Sequence, residues 1–428
     1  MLDIQFIREN PDLVKQAVMN KNEKSDVDLI LKLDSKRREL IKNVEILKRE
    51  RNAASKKISD LKKDKKDAAV TIGKMKSVSE KIKEYDKQII SLEQEIYDEM
   101  SKVPNIPHTS VNHGKDENDN PMIFDWGDLP KFDFEPADHL QLSDKLDLFD
   151  FPRGAKISGS GFPVYKGYGA LLDRALINYM LDTHIKNGYK EITVPYLVNP
   201  QSAFGTGQLP KLLDDMYFVE QDKLYAIPTA EVPVTNIHRD EILSADQLPI
   251  KYCSYSSCFR REAGSYGKDT RGFMRVHQFH KVELVKFVEP DKSYDELELL
   301  RESAENIIKS LGLRYRVLSL CDADLSFAAA KCYDLEVWAP GEKKYLEVSS
   351  CSNFEDFQAR RINIRYRPQS GGKVRFIHTL NGSALATARI LIALIETFQN
   401  ADGTVSIPEV LQPYMNGIKE IGPNDKTD

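Results

Sequence analysis

Leu33, Leu40, Leu47, Ala54 and Leu61 recur every seven residues, with Leu29, Val44 and Ile58 on the adjoining seam. A heptad sustained that long admits little besides a helix paired with another helix. The partner follows at once. After a break around Asp67 to Gly73, Met75, Val78, Ile82, Tyr85, Ile89, Leu92, Ile96 and Val103 step by three and four until Pro104 closes the run. Two such helices on a short turn make an antiparallel hairpin whose arms, at about 1.5 Å per residue, extend on the order of 45–55 Å. Only one narrow seam is apolar, so the hairpin should project from the rest of the chain. The residues before it, from Met1 to Ser25, read as a short helix.

A chain of 428 residues, 41% of them apolar, has room for at least one further domain. Its most informative stretch is Cys258 to Glu283, CFRREAGSYGKDTRGFMRVHQFHKVE. Two strands are expected here, Arg260 and Glu262 alternating on the first, joined by a glycine-punctuated loop from Ala263 to Gly272. Alternation across the pleat puts Arg275, His277, Phe279, Lys281 and Glu283 on one face, and Val276, Gln278, His280, Val282 and Leu284 on the other. A solvated sheet face also carries mixed charge. Four arginines and two glutamates on one hairpin favour a site instead, because guanidinium forks match phosphoryl oxygens and an aromatic face takes a purine. The chemistry read here is a nucleoside triphosphate lying on an antiparallel sheet.

FRRE, the GxxGxxxxG loop and RVHQFHKVE resemble the second signature motif of class II aminoacyl-tRNA synthetases in the form found in seryl-tRNA synthetases, and further motifs follow in matching order and spacing. Gly188 to Leu197, GYKEITVPYL, resembles the first motif; a plain helix–strand junction is the other reading. In YAIPTAEV, Thr229 and Glu231 fall on one side of an extended segment, a hydroxyl and a carboxylate able to hold a small zwitterion, although an exposed strand explains the pair equally well. In YLEVSSC, Glu347 and Ser350 offer hard oxygens suited to Mg²⁺, with helix capping as the alternative for the serines. Asn381 to Gln399, NGSALATARILIALIETFQ, resembles the third motif. From Ala384 to Thr397 it is apolar nearly all round and should be a buried helix, so that Arg389 needs an anion such as an ATP γ-phosphate. Ala386 and Ala388 stand where many class II enzymes carry glycine, a departure that seryl members share.

The resemblance implies an α+β fold: a class II catalytic domain on an antiparallel sheet (137–428), preceded by an N-terminal tRNA-binding domain with a coiled-coil arm (1–104) and a linker rich in Asn, Asp, His, Gly and Pro (105–136). It implies a serine–tRNA ligase that activates L-serine with ATP to seryl-adenylate and pyrophosphate, then transfers the seryl group to the 3′ end of serine tRNA, with selenocysteine tRNA as a second candidate acceptor. Carried over position by position, serine falls to Thr229, Ala230, Glu231, Glu283 and Ser383. ATP falls to Arg260, Arg261, Glu262, Arg275, Val276, Phe279, Glu347, Val348, Ser349, Ser350 and Arg389, with Mg²⁺ held alongside ATP at Glu347 and Ser350. Arg260 and Arg389 are the catalytic pair. Pro195 matches the proline of the first motif, which implies a homodimer.

Between Lys48 and Lys66 the first arm carries nine Lys or Arg against three Asp or Glu, on a chain of formal net charge −5. Alone, such a run is a solvated helix face. Beside a nucleotide-binding body it favours nucleic acid, because neutralising phosphates releases counterions. The candidate contacts are Lys48, Arg49, Arg51, Lys56, Lys57, Lys62 and Lys63, and the lack of aromatics near the tip points to backbone and shape recognition of RNA. The resemblance assigns this arm to the long variable arm of serine tRNA, with the anticodon unread.

Other chemistries find no support. The five cysteines form no CxxC pair, which argues against a zinc site or disulfide framework and for a reducing compartment. His277 and His280 sit three apart on a strand and face opposite ways, so they share no ion. There is no nucleophile elbow. No apolar run approaches the roughly 18 residues a bilayer requires, and the first residues are too polar for a signal peptide, so a cytoplasmic protein is expected. Two other functions leave distinct marks on a sequence. An inactive paralogue that keeps the arm would show a broken site, and an amino-acid ligase acting on a carrier protein would lack the arm.

Overall fold

The computed structural model describes residues 1–263, 271–369 and 371–423, and divides into two compact units, Met1–Pro104 and Asn105–Asp428. The first unit holds α1 (Ile4–Glu9), α2 (Pro11–Asn20), α3 (Val27–Lys63) and α4 (Ala69–Met100). Its opening stretch is two helices rather than one, because Pro11 occupies the first turn of α2, where its missing N–H costs nothing. Asp26 caps α3 by accepting the N–H of Leu29, and Lys62 and Lys63 face the negative end of its dipole.

The α3–α4 seam buries Ile30, Val44, Val78, Ile82, Leu92 and Ile96. Leu29, expected on the seam, is exposed; the row that includes Val44 and Ile58 continues back in steps of seven through Arg51 and Arg37 to Ile30. Arg51, expected to face RNA, is therefore half-buried, while Lys48, Arg49, Lys56, Lys57, Lys62 and Lys63 are exposed. Asp34 is fully buried and gathers Arg8 of α1 at 3.0 Å with Arg37 and Arg38 of α3 at 2.9 and 3.1 Å. A buried carboxylate is tolerated only when compensated in this way, and the cluster ties α1 to α3.

The second unit is built on an eight-stranded sheet. In chain order its strands are β1 (Met122–Trp126), β2 (Lys190–Glu191), β3 (Ile250–Phe259), β4 (Gln278–Val288), β5 (Tyr315–Ser319), β6 (Lys331–Ala339), β7 (Lys344–Asn353) and β8 (His378–Ala386). Their spatial order is β1-β5-β6-β7-β8-β4-β3-β2, antiparallel except that β2 runs parallel to β3. Residues 105–136, read as a linker, belong to this unit. β1 pairs with β5, and the buried Asn105 donates to the carbonyls of Ala328 and Phe354 at 2.9 and 2.8 Å. Asn and Asp side chains that gave the segment its linker composition, Asn105, Asp116, Asp119 and Asn120, bond to backbone groups and hold it in place.

Cys253, Val282, Leu284, Leu335, Val337 and Leu380 turn to one face of the sheet, into a core shared with helices Gly167–Lys186, Ser293–Ser310 and Thr387–Thr397. The third-motif helix starts at Thr387, not Ala384, because Asn381–Ala386 lies in the central strand β8, where ladder bonds to β4 and β7 override helical preference. From Ile390 to Ile395 every side chain of the helix is buried.

Candidate active site

The opposite face of the sheet carries the polar residues. β4 alternates as its sequence demands, so Phe279, Lys281 and Glu283 share this face, and all three are buried. Glu283 lies opposite Ser383 in register, and its Oε1 accepts from Asn381 Nδ2 at 2.8 Å. Its Oε2 accepts from the Thr229 hydroxyl at 3.2 Å and stands 2.6 Å from Lys281 Nζ, which donates to Thr229 Oγ1 at 2.8 Å. Thr229 and Glu231 do converge on this spot, but not from an extended segment: the strand ends at Ala226 and Glu231 opens a short helix, Glu231–Thr235. Ala230 is fully buried beside them.

Glu231 accepts from Gln358 Nε2 at 2.7 Å, and Thr379 donates to Gln358 Oε1 at 2.6 Å. Burial first, and then the facing Glu283, push the Glu231 carboxyl up to about 7. Two buried carboxylates therefore share this spot with the ammonium of Lys281, and the Arg260 guanidinium lies close enough to act on Glu231.

Arg260 lies past the end of β3, not on it. Its Nε donates to the carbonyl of Pro228, next to Thr229, and its guanidinium sits 5.2 Å from the centre of the Phe279 ring. Arg261 is exposed, and Glu262 pairs with Arg275. The loop expected from Ala263 to Gly272 falls mostly outside the described residues. Val276 is buried in the core, so its side chain is not available to a nucleotide.

Glu347 and Ser350 are three residues apart, which on a regular strand means opposite faces. A register shift resolves this: Glu347 lies opposite Glu336 and Ser350 opposite Asp334, so an extra residue in β7 brings all four to one face. Val348 and Ser349 turn inward instead, Ser349 donating to the carbonyl of Ser383. Asp334 is held well above the usual carboxylate range, by burial first and then by Glu347. This oxygen-only set, with carboxylates crowded closely enough to repel one another, fits Mg²⁺. Arg389 is half-exposed rather than buried: Nη1 donates to the Glu347 carbonyl at 2.9 Å and lies 3.4 Å from its carboxylate, while Nε donates to the carbonyl of Met274. The carboxylate takes the place of the anion that the sequence reading required.

Lys281, Asn381, Gln358 and Asp334 join the site without having been assigned to it. Lys281 was legible, since it shares the parity of Phe279 and Glu283. The other three depend on strand register, which no local pattern reports.

Arginines suited to a nucleotide and a buried ionic cluster beside them, on one face of an antiparallel sheet, are the arrangement of a class II aminoacyl-tRNA synthetase. The family described as "tRNA synthetase class II core domain (G, H, P, S and T)" matches residues 217–398, and "Seryl-tRNA synthetase N-terminal domain" matches residues 1–107. The serine–tRNA ligase of Chloroherpeton thalassium is 52% identical, over 99% of this chain and all of that protein; that of Caldanaerobacter subterraneus is 53% identical, over 97% and 98%. The crystal structure of seryl-tRNA synthetase from Pyrococcus horikoshii complexed with ATP superposes with a TM-score of 0.95 at 40% identity, over 99% of this chain and 100% of that one. The chain belongs to the seryl-tRNA synthetase family, and with it to the ATP-dependent tRNA ligases.

Proposed function

We propose that this chain activates L-serine with ATP in the pocket around Glu231 and Glu283 and transfers the seryl group to serine tRNA held by the α3–α4 arm. The observation that carries the reading is the buried ionic cluster of Lys281, Thr229, Glu231 and Glu283, one residue from the carbonyl that holds Arg260. The substrate ammonium settles against Glu231, and its hydroxyl is read by the hydrogen-bonding groups around Glu283 and Ser383. Alanine then leaves buried polar groups unsatisfied, which a water-excluded site penalises heavily, while threonine is excluded by size.

Arg260 aligns the serine carboxylate with the α-phosphorus and offsets the charge that builds there, and Arg389, released from Glu347, grips the γ-phosphate. A carboxylate oxygen forms the new bond to the α-phosphorus as the bond to the bridging oxygen breaks, and pyrophosphate leaves with that electron pair. A terminal ribose hydroxyl of the tRNA then takes the seryl group and AMP departs. Positioning and preorganised charge supply the acceleration. Glu347 and Ser350, with Asp334 beside them, would hold Mg²⁺ with ATP, where the ion offsets phosphate charge. Arg275 with Glu262, Phe279, and the backbone at Arg261, Val276, Val348 and Ser349 complete the nucleotide's surroundings. A homodimer through the Gly188–Leu197 segment and a cytoplasmic location belong to the same reading. No helix among the described residues is long and apolar enough to cross a membrane.

The test is ATP–pyrophosphate exchange across the standard amino acids, expected with serine alone and lost by about 10³-fold or more in Arg260→Ala. Exchange driven by another amino acid, or near-normal exchange in the variant, overturns the reading.

A further inference from the structure

His139, Glu342 and Glu396 form a buried cluster outside both pockets. His139 Nδ1 lies 3.2 Å from Glu342 Oε1 and 3.4 Å from Glu396 Oε1. Glu396, on the helix that carries Arg389, also accepts the backbone N–H groups of His139, Gly341 and Glu342 at 2.8, 2.9 and 3.2 Å. On the far side of the ring, Nε2 accepts the N–H of Phe273 at 3.4 Å. Gly272, at φ +55°, permits that approach, since a Cβ there would collide with His139 Nε2.

An imidazole and two carboxylates resemble the ligand set of a transition metal. The donors argue for a proton in its place. With Nε2 accepting from Phe273, the neutral ring carries its hydrogen on Nδ1, near the carboxylates but in no hydrogen bond with either, whereas a metal on Nδ1 would put an N–H at Nε2 against the N–H of Phe273. Arg271 and Lys344, each 3.6 Å from Glu342 Oε2, already offset the negative charge.

Phe273 is followed by Met274, whose carbonyl holds Arg389, and by Arg275, which pairs with Glu262. We propose that His139 is a positioning residue for ATP: through the Phe273 peptide and Glu396 it fixes the Arg271–Arg275 segment against the third-motif helix, and so sets the placement of Arg275 relative to Arg389. The proposal rests on the ATP roles given to those arginines above.

The experiment is serine-dependent exchange with the full-length enzyme, measuring KM for ATP and for serine separately, together with thermal midpoints and metal content. His139→Asn keeps a donor toward the carboxylates but cannot reach the Phe273 N–H, and is expected to raise KM for ATP about tenfold with KM for serine unchanged. Gly272→Ala, which disturbs the same contact from the other side, should behave alike. His139→Gln, which restores an acceptor for Phe273, should recover most of the ATP affinity. If His139→Asn does not fold, Gly272→Ala and His139→Gln decide. Equal rises in both KM values, or an unchanged KM for ATP in Gly272→Ala, overturns the proposal, as does stoichiometric metal in the wild type that His139→Asn loses. Absence of serine-dependent exchange in the wild type would instead count against the proposed function.

Discussion

Glu231 offers the most quantitative prediction. Its carboxyl is raised from the ordinary 4.5 to about 7, a penalty on the ionised form of about 3 kcal/mol. If the ionised form receives the substrate ammonium, then at pH 6 about one enzyme in eleven is ready and at pH 8 about ten in eleven. kcat/KM for serine should therefore rise about tenfold between pH 6 and pH 8 at saturating ATP. Glu231→Gln should lower kcat/KM and remove this limb of the profile. Gln358→Leu, which deletes a hydrogen bond to the ionised form, should move the limb to higher pH. The same group fixes a stability signature. The unfolded carboxyl ionises above about 4.5, whereas the folded one keeps its proton to about 7, so the native state binds more protons in that window and loses stability on this account as pH rises through it. Serine should accordingly raise the melting temperature more at pH 8 than at pH 6. A flat kcat/KM profile across that range, or an identical limb in Glu231→Gln, would refute the reasoning.

Further outcomes test the rest of the molecule. Lys48 lies 3.9 Å from Asp86 across the hairpin, so replacing residues 49–85 by a short glycine-rich turn keeps the register of the stump; exchange should persist within about twofold while tRNA charging is lost, and retained charging refutes the arm's role. Asp34→Ala leaves three arginines facing one another and should destabilise the first unit by about 2 kcal/mol, less than for a fully buried network because the arginines can turn to water; hydrogen exchange should show α1 opening, and full protection there would contradict the role given to Asp34. Light scattering during assay should find a dimer, and a fully active monomer removes the interface assigned to Gly188–Leu197.

Periodicity reached far into this chain. Heptads gave the hairpin, and the two-residue period of β4 gave the shared face of Phe279, Lys281 and Glu283. The misreadings have physical causes. Leu29 looks like a seam residue in composition, but the seam takes Ile30 and tolerates Arg37 and Arg51, whose long stems cover apolar surface while their charges reach water. The 105–136 segment hid a five-residue strand because its flanks spend Asn and Asp on backbone bonds. Thr229 and Glu231 were brought together by a turn into a helix rather than by alternation. Gln358 and Asn381 were beyond reach, because their partners lie 127 and 98 residues away in the chain and only tertiary register joins them.

The extra residue in β7 sets a limit on anyone who would redesign this enzyme. Straightening that strand to an ideal ladder would add a regular pair of backbone bonds and score as an improvement, yet it would rotate the Glu347 carboxylate to the underside of the sheet, against the helices. The flaw in the ladder is thus the hinge between two phases of the strand, and a repaired version should fold at least as firmly while losing the contact with nucleotide and metal proposed for Glu347.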